Sequence, residues 1–250
     1  MMPRMWTCER LASIDSTQLE LQRRLAASPG PMAVWTTQQT AGMGSHGRPW
    51  KDSPDGLAWS AAWPLDRGLI EAGAWPARLS LMTLETLEEL YPVLSGRLGL
   101  KWPNDVMGNS GKLCGVLASR HRVSGKDWLI AGIGINLSWP IEPDLNRPVA
   151  DLRSLGVKAA DPEQIANALC AAVERLCDAP SNSRWSADFS CRDIFLGRQV
   201  AVVHPHSGQI LQQGLHQGVD AQGRLCLFCD GTVLPVQIGE LSLRSVEELA

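Results

Sequence analysis

No stretch of this 250-residue sequence approaches the roughly 18 uninterrupted apolar residues of a membrane span, and the opening MMPRMWTCERLASIDST lacks the apolar core of a secretory signal. Both absences place the chain in the cytoplasm and away from a membrane. Blocks of like charge are missing as well. The 23 basic and 26 acidic residues are scattered for a net charge of -3, so nothing advertises a nucleic acid or an anionic lipid surface as partner. A disulfide framework is excluded too: the cysteines at 8, 114, 170, 177, 191, 226 and 229 are odd in number and irregular in spacing, as suits reduced core positions. Cys226 and Cys229 point to opposite faces of a strand and no second pair exists, so no zinc site is expected. Tyrosine and phenylalanine are scarce, one and three against ten tryptophans, and the pattern gives that imbalance no function.

What is present is enough core for one large domain with a small appendage, since 44% of the residues are hydrophobic. Ser16 caps a helix over 16–27, followed by a strand at 32–37 and a long loop too rich in Gly and Pro to be regular. A strand at 57–63 and a helix at 77–91 come next, then strands at 98–102, 113–119 and 128–137 joined by short turns, which argues for an antiparallel or mixed sheet. Asp161 and Pro162 open a helix running to Cys177. From residue 194 onward, short apolar runs alternate with Gly-rich turns, as in a small all-β unit, with the boundary near 185–195.

Three clusters could carry chemistry. Gly42, Gly44 and Gly47 spell G-x-G-x-x-G, but Pro49 and Pro54 follow, so no helix opens there and a dinucleotide fold is rejected. These glycines, with Arg48, either cradle a phosphate or form a plain turn. Lys101-Trp102-Pro103-Asn104-Asp105 ends a strand and begins a turn, a solvated surface by itself. Lys112, however, stands between Gly111 and the apolar run 113–117, where a charge points into a site and can offset negative charge developing on a carboxylate or phosphate. The third cluster, Gly132-Ile133-Gly134-Ile135-Asn136, leaves room for a ligand flat against the backbone, or for tight sheet packing capped by Asn136.

Six segments, in this order, resemble the biotin protein ligase family: Ile14 to Gln18, Gln39 to Trp50, Lys101 to Val106, Gly111 to Leu117, Gly132 to Asn136 and Gly239 to Arg244. The resemblance spans about residues 10–245 and is most specific in KWPNDV followed by GKLCGVL. It implies an α/β (α+β) mixed-sheet catalytic domain like that of class II aminoacyl-tRNA synthetases over 1–190, and a small SH3-like β-barrel over 191–250. It further implies an ATP-dependent ligase that makes biotinyl-5'-AMP with Mg²⁺ and transfers biotin to a lysine of a carboxylase's biotin carrier domain. By the same resemblance Ser16, Thr17, Gln39, Gly115 and Gly132 bind biotin. Gly42, Gly44, Arg48, Asn104 and Asn136 meet nucleotide or phosphate. Lys112 and Asp105 are catalytic, and the chain has no metal site of its own.

Because the Asp15-Ser16-Thr17 motif arrives so early, the sequence leaves no room ahead of it for the DNA-binding domain some family members carry, and no nucleic-acid partner is expected. A homodimer is left open. The rival readings are lipoate protein ligase and a biotin-binding protein without catalysis.

One departure stands out. The family's loop usually reads Gly-Arg-Gly-Arg-x-Gly-Arg, whereas this chain has Met43 and Ser45 at the first two arginine positions. Charge-assisted bonds to phosphate are worth about 1.5–3 kcal/mol each. Installing Met43→Arg and Ser45→Arg together is therefore expected to slow adenylate release by about tenfold or more; equally slow release from both proteins shows the arginines to be dispensable.

Overall fold

The computed structural model describes residues 8–44, 50, 55–65, 72–139, 148–178, 184–205, 207–237 and 241–246. Ser45, His46, Arg48 and His206 lie outside the described residues. Seven strands form one mixed sheet in the order β1-β2-β3-β7-β6-β5-β4: β1 is Cys8–Arg10, β2 Met32–Thr36, β3 Asp55–Pro64, β4 Gly99–Lys101, β5 Asp105–Gly108, β6 Gly111–Val123 and β7 Lys126–Ser138. Only β1 and β2 run parallel among the paired strands; the other neighbours are antiparallel. Consecutive β5, β6 and β7 are joined by tight turns, and Ser124 and Gly125 both take positive φ at the β6–β7 corner.

The sheet alternates as a half-covered surface should. Leu57, Trp59, Ala61 and Trp63 of β3 enter the large core, against helices α2 (Trp75–Leu90) and α3 (Pro162–Asp178). Ala62, with Val34, Trp128 and Ile130, turns the other way and meets Leu21 and Leu25 of α1 (Thr17–Ala27). Helix α2 buries Leu79, Leu84 and Leu87 on one face, and α3 buries Ile165, Leu169 and Val173. The Asp161 carboxylate accepts the N–H groups of Glu163 and Gln164 at 2.9 and 3.2 Å, the cap that the sequence predicted.

The C-terminal part is a five-stranded antiparallel sheet, β11-β10-β9-β8-β12, from β8 (Gln199–Val203), β9 (Ile210–Val219), β10 (Leu225–Cys229), β11 (Thr232–Val236) and β12 (Ser242–Ser245). Its inward side chains Val200, Val202, Leu225, Leu227 and Leu243 join the same core as the large sheet. The expected mixed sheet with a small β domain behind it is what the chain forms.

Two local expectations are corrected. Asp105 does not begin a turn: it pairs with Lys101 on one side and Gly115 on the other, so ladder pairing overrides the poor strand propensity of Asp. Ser16 holds the N-cap position of α1, yet its side chain makes no cap hydrogen bond. Helix α4 (Trp185–Arg192), which the sequence reading did not name, is anchored by buried Trp185 and Phe189. Because Leu84 is fully buried in the α2 face, Leu84→Ala is expected to destabilise the chain by about 2–5 kcal/mol. Denaturant unfolding checks this as a lower midpoint at unchanged slope.

Candidate active site

The side of the sheet that α1 covers only in part carries a lane of small residues. Register lines up Ala58 of β3, Gly134 of β7, Gly115 of β6, Asp105 of β5 and Lys101 of β4 in one cross-strand row. A second row runs Ser60, Gly132, Leu117. With side chains this short, the sheet face becomes the floor of a cleft of about 1390 Å³. Strands stand about 4.8 Å apart, so the row from β3 to β4 spans about 19 Å.

At the β3 end, hydroxyl and amide groups converge. Gln39 Oε1 accepts both the Thr17 N–H at 2.9 Å and the Thr17 hydroxyl at 3.2 Å. The Ser60 and Thr17 hydroxyls are 2.8 Å apart, and since the Thr17 proton is committed to Gln39, Ser60 donates. Gln18 lies over Gly132, where an added Cβ would come within 2.7 Å of its Nε2, and that amide donates to Leu117 O at 3.0 Å. The uncapped Ser16 side chain also lines this end. Asp15, next to it, accepts the Ser16 N–H at 2.7 Å and an Arg23 fork at 2.7 and 2.9 Å.

Mid-cleft, the Trp50 ring rests on the floor: a Cβ at Gly134 would lie 2.6 Å from it, and one at Gly115 2.9 Å. Its backbone N–H is held by Gly42 O at 2.9 Å, and Lys112 Nζ stands 5.4 Å from the ring centroid. Lys112 forms an ion pair with Asp105 Oδ1, an oxygen that has no other donor. Asn104 closes the loop behind them, its Nδ2 donating to Val116 O at 2.6 Å while its own carbonyl accepts the Val116 N–H at 3.0 Å. Beyond β5 the lining turns cationic with Arg97, Lys101, Arg192 and Arg244, so five cations face one carboxylate, Asp105, among the described lining residues.

Of the residues singled out from sequence, Ser16, Thr17, Gln39, Gly44, Asn104, Asp105, Lys112, Gly115 and Gly132 line this one cleft. Gly42 and Asn136 do not. Gly42 instead leaves space for Gln39, whose Nε2 would lie 2.9 Å from an added Cβ. Asn136, expected to face nucleotide, is 4% exposed and gives its amide hydrogens to the carbonyls of Lys112 and Ala150 at 3.2 and 3.0 Å, bracing the strand under Lys112. Arg48 lies outside the described residues. The sequence reading gave no role to Gln18, Trp50, Ser60 or the four distal cations. Ser60 had a signal, as the one hydroxyl in the otherwise apolar run LAWSAAW; the others depend on long-range register.

Among the described residues no cluster of three or more His, Cys, Asp or Glu side chains could hold a metal, and no helix is long and apolar enough to cross a membrane. The seven cysteines are free; burial pushes the Cys114 thiol well above its usual range, as suits an inert core position.

The profile of the biotin/lipoate A/B protein ligase family matches residues 10–136. The chain is 30% identical over 237 residues to the biotin–[acetyl-CoA-carboxylase] ligase of Mycobacterium tuberculosis, covering 92% of this chain and 86% of that protein. It is 30% identical over 250 residues to the bifunctional ligase/repressor BirA of Escherichia coli, covering 95% and 74%. Its fold is similar to that of the Aquifex aeolicus biotin protein ligase in complex with biotin and ATP, with TM-score 0.78, 26% identity, and coverage of 96% and 99%.

The Arg23 guanidinium, helped by the Ser16 N–H, lowers the Asp15 carboxyl from 3.8 to about 2. Stability from a depressed carboxyl is fully present above pH 3.8 and is lost as the pH falls through about 2. A carbon-13 titration is expected to place Asp15 at about 2 in the native protein, and to return it toward 3.8 in Arg23→Gln.

Proposed function

This chain belongs to the biotin/lipoate A/B protein ligase family, and we infer that it is the ATP-dependent ligase that forms biotinyl-5'-AMP and passes biotin to a lysine of a carboxylase's biotin carrier domain. The observation that carries this reading is the bare lane across the sheet, with a hydroxyl–amide cluster at one end and the Lys112–Asp105 pair about two strands away.

A ureido ring presents two N–H donors and one carbonyl, and Ser16, Thr17, Ser60 and Gln39 offer short hydroxyls and an amide in matching variety. The Trp50 ring marks the middle of the groove, where the slender acyl chain would run toward Lys112. In the first step a carboxylate oxygen bonds to the α-phosphorus of ATP and pyrophosphate leaves. Lys112 Nζ, held by Asp105 and backed by Trp50, supplies a fixed positive charge for that transition state. In the second, the carrier's lysine amine attacks the acyl carbon, AMP departs, and the Asp105 carboxylate is the nearby proton acceptor.

Magnesium fits this site as a companion of ATP: one carboxylate, Asp105, meets the usual pattern of phosphate oxygens plus one or two protein carboxylates, and the ion would offset phosphate charge. Gly44 and Asn104 line the nucleotide side, Arg48 is the residue of this reading that would reach phosphate, and Gly42 and Asn136 support the surrounding loop and strand. We place the catalytic part at residues 1–190 and the small β unit at 191–250, with the enzyme in the cytoplasm, acting on a carrier protein and on neither nucleic acid nor membrane. Lipoate, the other acid of the family name, fits less well, because its dithiolane has no N–H for the Thr17–Ser60–Gln39 cluster.

Lys112→Ala is expected to keep the fold and to lower biotin-dependent ATP–pyrophosphate exchange by about 100-fold or more. Exchange near the wild-type rate in a folded mutant removes Lys112 from the reaction, and exchange driven by lipoate in place of biotin overturns the substrate.

A further inference from the structure

The segment that delivers Asp105 to Lys112 is tied at two points, to the connection between α4 and β8 and to the turn between β9 and β10. First, Asp193 bridges to Leu100 of β4, and the Ile194 N–H donates to Leu100 O at 2.9 Å. Asp193 is itself fixed: its Oδ1 accepts the Phe195 N–H at 2.9 Å, and its Oδ2 lies 3.0 Å from His216 Nε2 of β9, both side chains being fully buried. His216 Nδ1 accepts the Gly218 N–H at 3.0 Å, so the ring proton sits on Nε2 and points at the carboxylate. Second, the buried Trp102 indole N–H donates to Gly223 O at 3.0 Å, across 121 residues of sequence.

Gly223 belongs to a turn built around Asp220. The carboxylate accepts the N–H groups of Gln222 and Arg224 at 3.0 and 2.9 Å and the Arg224 Nε–H at 2.6 Å, while two backbone bonds close the loop. Gly223 has φ of 79°, and a Cβ there would lie 2.7 Å from Ala74 Cα, so the turn packs backbone to backbone against the 3-10 segment Ala72–Ala74. Three residues after Trp102 comes Asp105, and between them Asn104 ties the loop to Val116 of β6.

We propose that the small β sheet positions the reaction centre, and that the Asp220 turn, through Gly223 O and Trp102, sets where Asp105 meets Lys112. Asp220 is then a positioning residue for the reaction under Proposed function, on which this inference rests. The hydroxyl cluster at Thr17 and Ser60 stands about four strand spacings from β4 and is not part of the grip. A loosened turn should therefore misplace the carboxylate while leaving the ring-binding end intact. Misplacement of reacting groups by about 1 Å costs up to about 100-fold in rate.

The test uses the full chain with Asp220→Ala, Asp220→Asn and Trp102→Phe, the last keeping an aromatic ring while removing the indole N–H together with the five-membered ring that carries it. In Asp220→Ala, hydrogen exchange over residues 100–107 is expected to speed up about fivefold or more, with exchange over 130–136 unchanged. The kcat for pyrophosphate exchange should fall about tenfold, with KM for biotin within about twofold. Asp220→Asn, which keeps a carbonyl oxygen for the turn, should fall between. If Asp220→Ala does not fold, Trp102→Phe is read with the same expectations. Unchanged exchange over 100–107, or loss of kcat together with a raised biotin KM, overturns the proposal. Faster exchange over 100–107 in a chain whose wild type shows no biotin-dependent activity sustains the coupling and sinks the ligase reading instead.

Discussion

Strand register is the constraint on which the site depends. Because side chains alternate along a strand, the pairing that puts Gly134 opposite Ala58 and Gly115 also puts Asp105 and Lys101 in the same row on the same face. A slip of one residue in β7 would bring Ile133 or Ile135 onto the floor and close the groove with a branched side chain. Burial of Ile133 and Ile135 in the large core opposes such a slip, because it would take both out of that core. Thus the large core on one face fixes the emptiness of the other.

Charge is distributed on the same logic. The chain as a whole is slightly anionic, yet the described lining of the cleft sets five cations against one carboxylate. Arg192 is paired with Glu88, so the excess rests on Arg97, Lys101 and Arg244 beyond the Lys112–Asp105 pair, and a concave, partly buried wall strengthens such fields over what the same charges would do on open surface. Asp105 within that wall is held by Lys112, so the one acidic group comes with its counter-ion and a defined geometry. Lys112 is oriented in turn by Trp50 above Gly115 and by the strand that Asn136 braces beneath it.

Much of this was legible in the sequence, and the boundary of legibility has a physical origin. Glycines inside apolar strands announced a close approach, and the lysine after Gly111 announced a charge aimed inward; both readings need only the period of a strand. The N-terminal cap of α3 needed only Asp161 and Pro162. Ser60, Gln18 and Trp50 were not assigned roles because their meaning depends on which strand lies alongside, and a period of two says nothing about the neighbour. The strand beginning at Asp105 was hidden for the same reason: local propensity favours a turn there, and two flanking strands outvote it. For Asn136 two readings were open from sequence, a ligand contact or tight packing at the strand end, and its amide hydrogens go to two backbone carbonyls.

Glycine also serves two ends here that composition alone cannot separate. At 115, 132 and 134 the missing side chain makes room for other side chains of the chain itself, Lys112, Gln18 and Trp50, and only through them for a ligand. The cleft is therefore shaped by side chains that rest directly on the backbone of the sheet. At 223 the glycine supplies a positive φ and a close backbone approach far from the cleft. Under the proposed reading, a fold that keeps its reacting groups on strands and ties their hairpin to a second unit separates the task of binding from the task of alignment. The hydroxyl end of the cleft is built from α1, β3 and the stretch around Gln39, the charged end from β4, β5 and β6, and the β9–β10 turn touches the latter through Gly223 and Trp102.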